Sequence, residues 1–202
     1  MQLEDTVLRE NTRAYSYKLL SECYYAPSEK LIRMLNSLEE FPEGDVASGL
    51  FKNVPNIDAL ESLNVEYSRL FLGPFKVLVP PYGSVYLENG RQTMGESTMD
   101  ARNWYREEKL TMLLKDVPDH IAVELEFMYF LIFKQIEAIN DDKPKVADDY
   151  LRKEADFLKS HLGAWVGEFA DKVIEESSVY FYKELARLTK EFVLSEGGAS
   201  NE

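Results

Sequence analysis

The sequence predicts an all-α, single-domain helical bundle interrupted by one long loop rich in proline and aromatic residues. Three observations predict it. Glycine and proline are scarce, 10 and 8 of 202 residues, and several gather between Gly73 and Gly95, so the stretches on either side are long and free of helix breakers. Apolar residues recur at threes and fours through most of those stretches, the spacing of a helix with one buried face. One segment, Ile121 to Phe133 (IAVELEFMYFLIF), is apolar on nearly every side and broken only by Glu124 and Glu126, the pattern of a helix surrounded by others.

Taken in order, residues from about Thr6 to Tyr25 place Tyr15, Leu19, Leu20 and Cys23 on one stripe, and Pro27-Ser28 ends that helix and starts another through Leu38. A short helix is expected over Gly44 to Lys52. Asn56 can cap the next, whose apolar positions Ile57, Leu60, Leu63, Tyr67, Leu70 and Phe71 lead to a stop at Gly73-Pro74. From Phe75 to Met94 the paired prolines Pro80-Pro81 lock an extended backbone that offers no amide donors, and Phe75, Tyr82 and Tyr86 make the segment too aromatic for a random linker. An ordered, functional loop over 73–96 is the expectation. Ser97 can cap a helix to about Leu110, and Pro118 can open the central helix, which continues to about Ile139. Asn140 to Pro144 reads as a polar turn, followed by helices over Val146 to Leu162, after Gly163, and over about Ser178 to Val193. The domain is thus expected to span 1–194, with a frayed, disordered tail over 195–202 that carries no apolar side chain larger than alanine.

Composition narrows the class further. With 45% hydrophobic and 29% charged residues, the chain has the balance of a folded globular protein, and folding should bury roughly 70% of the surface the unfolded chain exposes. Cys23 is the only cysteine, which excludes disulfide scaffolds and multi-cysteine metal sites and favours a cytoplasmic location. The start, Met1-Gln2-Leu3-Glu4-Asp5, lacks the basic and apolar regions of a signal peptide, so export by that route is not expected. The apolar run of the central helix is too short and too acidic for roughly 20 membrane-spanning residues, so an integral membrane protein is not expected either. Lysine and arginine number 23 against 36 aspartate and glutamate, a net charge of −13, which excludes a nucleic-acid-binding role and suits a cationic partner.

Few residues carry catalytic chemistry. No nucleophile elbow, phosphate-cradling glycine loop or dinucleotide fingerprint occurs, so neither an enzyme nor a resident cofactor is expected. Of two histidines, His161 lies on an amphipathic helix without an obvious partner and reads as structural. His120 follows Pro118 and Asp119 in the first turn of the central helix, four residues before Glu124, close enough on one face to interact. Two ligands do not complete a metal site, so a small all-α metal-dependent enzyme or redox protein at His120/Glu124 is the alternative rather than the leading reading. Acidic residues at a helix start are explained by capping alone. Beside the aromatic loop, however, they also suggest a groove apolar along its floor and acidic at its rim, suited to a peptide with a greasy segment and arginines.

These motifs carry a resemblance. Tyr67-Ser68-Arg69-Leu70-Phe71 matches an aromatic-x-x-Leu-Phe motif. Gly73-Pro74, followed by Pro80-Pro81-Tyr82-Gly83-Ser84-Val85-Tyr86, looks like the adjoining loop, and Pro118-Asp119-His120 leading into Glu124-Leu125-Glu126-Phe127-Met128 looks like a second motif, all of the TorD/DmsD/NarJ family of redox-enzyme maturation chaperones. The similarity continues through His161-Leu162-Gly163-Ala164-Trp165-Val166 and Phe181-Tyr182. Val117 stands where the family commonly has glutamate, which removes a carboxylate from the rim; Asp116 is the neighbouring acid.

The resemblance implies a cytoplasmic, all-helical chaperone. It would bind the twin-arginine signal peptide, or an N-terminal segment, of a molybdopterin-dependent oxidoreductase subunit and hold it until cofactor insertion. On that reading Tyr67, Leu70 and Phe71 shape or support the groove, while Pro80, Pro81, Tyr82 and Tyr86 line it. Pro118 belongs to the matched motif, Asp119 and His120 recognise the polar part of the peptide, and Glu124 holds His120 in place. Leu70 and Phe71 also fall on an apolar stripe, which helix packing explains as well as ligand contact does. A partly exposed His120 would make affinity pH-sensitive near roughly 6.5. A monomer and a domain-swapped dimer hinged between Leu110 and Pro118 both fit the family.

Overall fold

The computed structural model describes residues 2–37, 46, 49, 55–73, 77–88, 94–111 and 117–199. Among them it is all-helical. Helix α1 runs Gln2–Cys23, and Ser28 caps α2 (Glu29–Asn36) by accepting the Leu31 amide at 3.2 Å. The helix expected over Gly44 to Lys52 lies mostly outside the described residues, although Val46 and Gly49 are helical. Asn56 caps a 3₁₀ turn, Ile57–Ala59, that leads into α3 (Leu60–Tyr67).

The sequence predicts one continuous helix to Phe71. Instead, α3 widens into a single π turn over Ser68–Leu72, closed by the Gly73 amide donating to the Ser68 carbonyl at 2.7 Å. The extra residue per turn leaves Leu70 and Phe71 in the core and Leu72 56% exposed. Gly73 leaves that turn at φ 56°, a left-handed conformation that explains glycine there.

After a one-turn helix α4 (Ser84–Leu87) come α5 (Glu96–Glu107), α6 (Ile121–Asn140), α7 (Pro144–Ser160), α8 (Leu162–Glu176) and α9 (Tyr180–Ala199). Helix α6 is central, with α1 along one side, α7 along another, and α8 and α9 packed together beside them. Its Ile121, Ala122, Leu125, Met128, Leu131 and Ile132 are wholly buried, as its all-round apolar pattern requires. Its Glu126 reaches the surface and pairs with Lys18 of α1 at 2.6 Å. Of the hinge expected between Leu110 and Pro118, residues 112–116 lie outside the described residues.

Two buried polar clasps tie distant helices together. Glu66 of α3 accepts from Arg69 at 2.8 and 3.0 Å, from the Ser177 hydroxyl at 3.0 Å and from the Ser178 amide at 2.6 Å, which fastens α3 to the α8–α9 connection. The Arg69 bonds above all hold its carboxyl down, at about 2 against an ordinary 4.5. At the other end Arg13 of α1 donates to Glu196 at 2.6 Å and to Glu154 of α7 at 3.1 Å, and also pairs with Glu10. The C-terminal segment, expected to fray from Ser195, is therefore helical through Ala199, because Glu196 has a cation to meet.

One guanidinium serves three carboxylates, and burial pushes Glu154 up to about 7 despite Arg13. Its stabilising contribution is accordingly complete below about 4.5 and is lost as pH rises through about 7. At pH 8 we expect Glu154→Gln to melt higher than wild type, by the equivalent of about 2–3 kcal/mol, and to lose the stability change between pH 4.5 and 7. Glu66 works in the opposite sense: its contribution is present above pH 4.5 and lost as pH falls towards 2. Urea titrations should find Glu66→Gln destabilised by about 1–3 kcal/mol at pH 7 and nearly level with wild type at pH 2.

Candidate functional site

The loop is fastened to the bundle by backbone. The Val79 amide donates to the Leu70 carbonyl at 2.9 Å, joining the loop to the π turn. Pro80 and Pro81 then hold the chain extended, and a proline, lacking an N–H, still offers its carbonyl. The Ile121 amide donates to the Pro81 carbonyl at 2.9 Å and the Gly83 amide to the Asp119 carbonyl at 2.8 Å, so Tyr82 and His120 face each other across an isolated antiparallel bridge. Two motifs separated by more than thirty residues thus become one backbone unit.

Side chains complete the joint. The Asp119 carboxylate accepts the Ser84 amide at 2.8 Å and so fixes the start of α4, while the Tyr105 hydroxyl donates to the Pro118 carbonyl at 2.7 Å. His120 caps α6: its Nδ1 accepts the Ala122 amide at 3.1 Å, and a nitrogen that accepts carries no proton, so the neutral ring keeps its hydrogen on Nε2. The ring is stacked on Tyr25 at 6.2 Å and meets the edge of Tyr82 at 5.5 Å, which makes a half-exposed aromatic trio at the surface.

Beneath the trio lies a second layer. Trp165 of α8 donates its indole N–H to Glu124 at 2.9 Å and stacks on Tyr86 at 5.4 Å, and Tyr86 donates its hydroxyl to the Pro80 carbonyl at 2.9 Å. Gly83 lies so near that a Cβ there would stand 2.9 Å from the Trp165 Nε1. His161, at the junction of α7 and α8, binds Asp100 of α5 through Nε2 at 2.9 Å and turns Nδ1 towards Glu124 at 3.7 Å. Burial raises the pKa of Glu124, an effect that His161 and Trp165 oppose. Burial also works against a charged His161, but Glu124 and Asp100 outweigh it and hold the imidazole above its ordinary 6.5.

Most of the residues expected at the groove do converge: Pro80, Pro81, Tyr82, Tyr86, Pro118, Asp119 and His120 belong to this joint. Two expectations about their roles need correction. Asp119, like Glu124, is wholly buried, so it does not edge a groove as an anionic rim. Glu124 engages Trp165 and His161 instead of holding His120, because the first turn of α6 aims it into the core. Leu70 and Phe71 pack in the core, in keeping with the helix-packing reading of their apolar stripe, as does Tyr67, whose ring lies 5.3 Å from that of Phe71.

Sequence reasoning missed Tyr25, from the bend after α1, and Trp165 and the partners of His161, supplied by other helices. It also missed Leu72 and Leu78, exposed by 56% and 40% on either side of the Leu70–Val79 joint. The π turn that exposes Leu72 leaves no mark in the apolar spacing. Among the described residues, no three or more histidine, cysteine, aspartate or glutamate side chains are grouped to hold a metal ion, and no helix is long and apolar enough to cross a membrane.

The family model for the nitrate reductase delta subunit matches residues 29–171, which include the loop and the start of α6 but not Tyr25. The chain belongs to the redox-enzyme maturation chaperone family. Among relatives of this chaperone, it is 26% identical over 166 residues to the chaperone protein TorD of Aliivibrio fischeri, covering 79% of this chain and 76% of that one. It is 30% identical over 132 residues to the Tat proofreading chaperone DmsD of Salmonella typhimurium, covering 64% of this chain and 58% of that one. A crystal structure from Archaeoglobus fulgidus, provisionally named for redox enzyme maturation, superposes with a TM-score of 0.57 at 26% identity, covering 92% of this chain and 93% of that one.

The packing of Gly83 on Trp165 makes a direct check of how the chaperone holds its loop. Gly83→Ala should lose about 1–3 kcal/mol in urea unfolding, because the added methyl drives Trp165 from Glu124 or lifts the loop. Gly167→Ala, in the same helix as Trp165 but with nothing within 4 Å of its new methyl, should be neutral or gain up to about 1 kcal/mol.

Proposed function

We propose that this protein is a cytoplasmic, non-enzymatic chaperone that binds the twin-arginine signal peptide, or an N-terminal segment, of a molybdopterin-dependent oxidoreductase subunit. It holds that client until the molybdenum cofactor is inserted. The observation that carries the reading is the Tyr82–His120 bridge, which merges the loop and the second motif into one rigid, half-exposed aromatic surface. An apolar peptide stretch would lie over Tyr25, Tyr82 and His120 and reach the exposed Leu72 and Leu78. Rigid aromatics suit that task, because they give contact area at a small cost in side-chain entropy.

Asp119 serves this surface from below by fixing α4, and electrostatic attraction for the arginines comes from the net charge of −13. That division of labour is testable by calorimetric titration of a synthetic peptide with two consecutive arginines followed by an apolar stretch. Tyr82→Ala and Leu78→Ser should each weaken binding about tenfold or more. Phe133→Ser should not, since Phe133 is exposed about 20 Å along α6 from His120. Asp119→Asn should weaken binding without changing its salt dependence, whereas a steeper or flatter salt slope would assign Asp119 to the arginines. Equal affinity of wild type, Tyr82→Ala and Leu78→Ser would overturn the surface.

A further inference from the structure

Glu124 and His161 are a buried ionisable pair beside the loop, and neither caps a helix through its side chain; the His161 ring also stacks on Phe157 at 4.9 Å, which fixes its plane but leaves its two nitrogens to Asp100 and Glu124. We propose that His161, acting through Glu124 and Trp165, is the positioning residue of the client-binding loop, so that the loop's hold on its client follows the charge of a buried imidazole. The inference rests on the functional reading above for its client, but its geometry stands alone.

The connection is continuous from solvent to loop. Asp100 is exposed and meets His161 Nε2 at 2.9 Å, beside an open cavity of about 850 Å³ that His161 and Leu87 also line. The other ring nitrogen, Nδ1, faces Glu124 Oε1 at 3.7 Å, and neither atom has a hydrogen-bond partner. Glu124 Oε2 accepts the Trp165 indole N–H, and Trp165 carries Gly83 against its Nε1 and Tyr86 on its face. Tyr86 in turn donates to the Pro80 carbonyl, next to the bridge.

Charge decides what the Nδ1–Oε1 contact does. With the ring protonated, Nδ1–H points at a carboxylate, and Glu124 is held ionised where Trp165 needs it. A neutral ring that still donates through Nε2 to Asp100 presents an Nδ1 lone pair to Oε1 in a dry interior, which is repulsive. Glu124 then turns away, and Trp165 loses its fixed acceptor. Other ionisable groups surround the pair: Tyr105 and Asp100 from α5, Asp119 from the turn before α6, and Glu88 and Glu96 around the cavity. Burial keeps the Tyr105 phenol neutral, and the four carboxylates favour the protonated ring. The raised pKa of His161 agrees, and it places the loss of order on the alkaline side of 6.5.

The chain's two histidines and two tryptophans allow the test to be read residue by residue in solution. Imidazole NMR titration, assigned with His120→Asn, should find His161 titrating above 6.5. The Trp165 indole N–H, assigned with Trp104→Phe, should shift at the same midpoint. Affinity for the arginine-bearing peptide should fall about tenfold as pH rises through that midpoint, roughly the loss of one hydrogen bond. His161→Asn should abolish this dependence. If His161→Asn does not fold, Glu124→Gln, which keeps an acceptor for Trp165 without the charge, should flatten the same profile. A Trp165 resonance that stays fixed while His161 titrates overturns the inference even if no peptide binds. So does a pH profile of affinity that survives both His161→Asn and Glu124→Gln.

Discussion

A two-proline strand has almost no means of joining a helical protein, since it lacks the amides with which a backbone usually pairs. Here it joins through its acceptors. The Pro81 carbonyl takes the first amide of α6, which the helix itself leaves unpaired, and the Asp119 carbonyl takes the amide of Gly83. Two of the three half-exposed aromatic groups at the candidate site are placed by that exchange. Tyr82 and His120 face each other because their neighbours pair, and Asp119 is buried because its carboxylate must meet Ser84.

The cost of the arrangement is a set of buried carboxylates. Asp119 and Glu124 both lie at the foot of the loop, and each keeps one oxygen without a hydrogen-bond partner. Buried polar groups so incompletely paired are retained where geometry matters more than stability. Here the geometry is the distance between Gly83 and the indole of Trp165. The clasps of Glu66 and Arg13, by contrast, fasten α3 and α1 to later parts of the bundle.

Much of the fold was legible in the sequence because helices announce themselves by period. The central position of α6 followed from an apolar run with no polar face, and the loop from the clustering of Gly73, Pro74, Pro80, Pro81 and Gly83. Two features escaped for definite reasons. A π turn adds a residue without breaking the apolar pattern, so Leu70, Phe71 and Leu72 could not be divided into core and surface. The tail's lack of apolar residues suggested fraying, whereas one carboxylate, Glu196, met the guanidinium of Arg13 and carried the helix onward.

The sequence by itself therefore determined the helical class, the long loop and the motifs that identify a maturation chaperone, because period, glycine–proline clustering and local motifs are written in neighbouring residues. Only tertiary structure decided what the acidic residues do. Whether a carboxylate edges a groove, caps a helix or lies against a histidine depends on which helix packs over it. Glu124 and His161 stand 37 positions apart in the chain, a separation that local spacing cannot bridge.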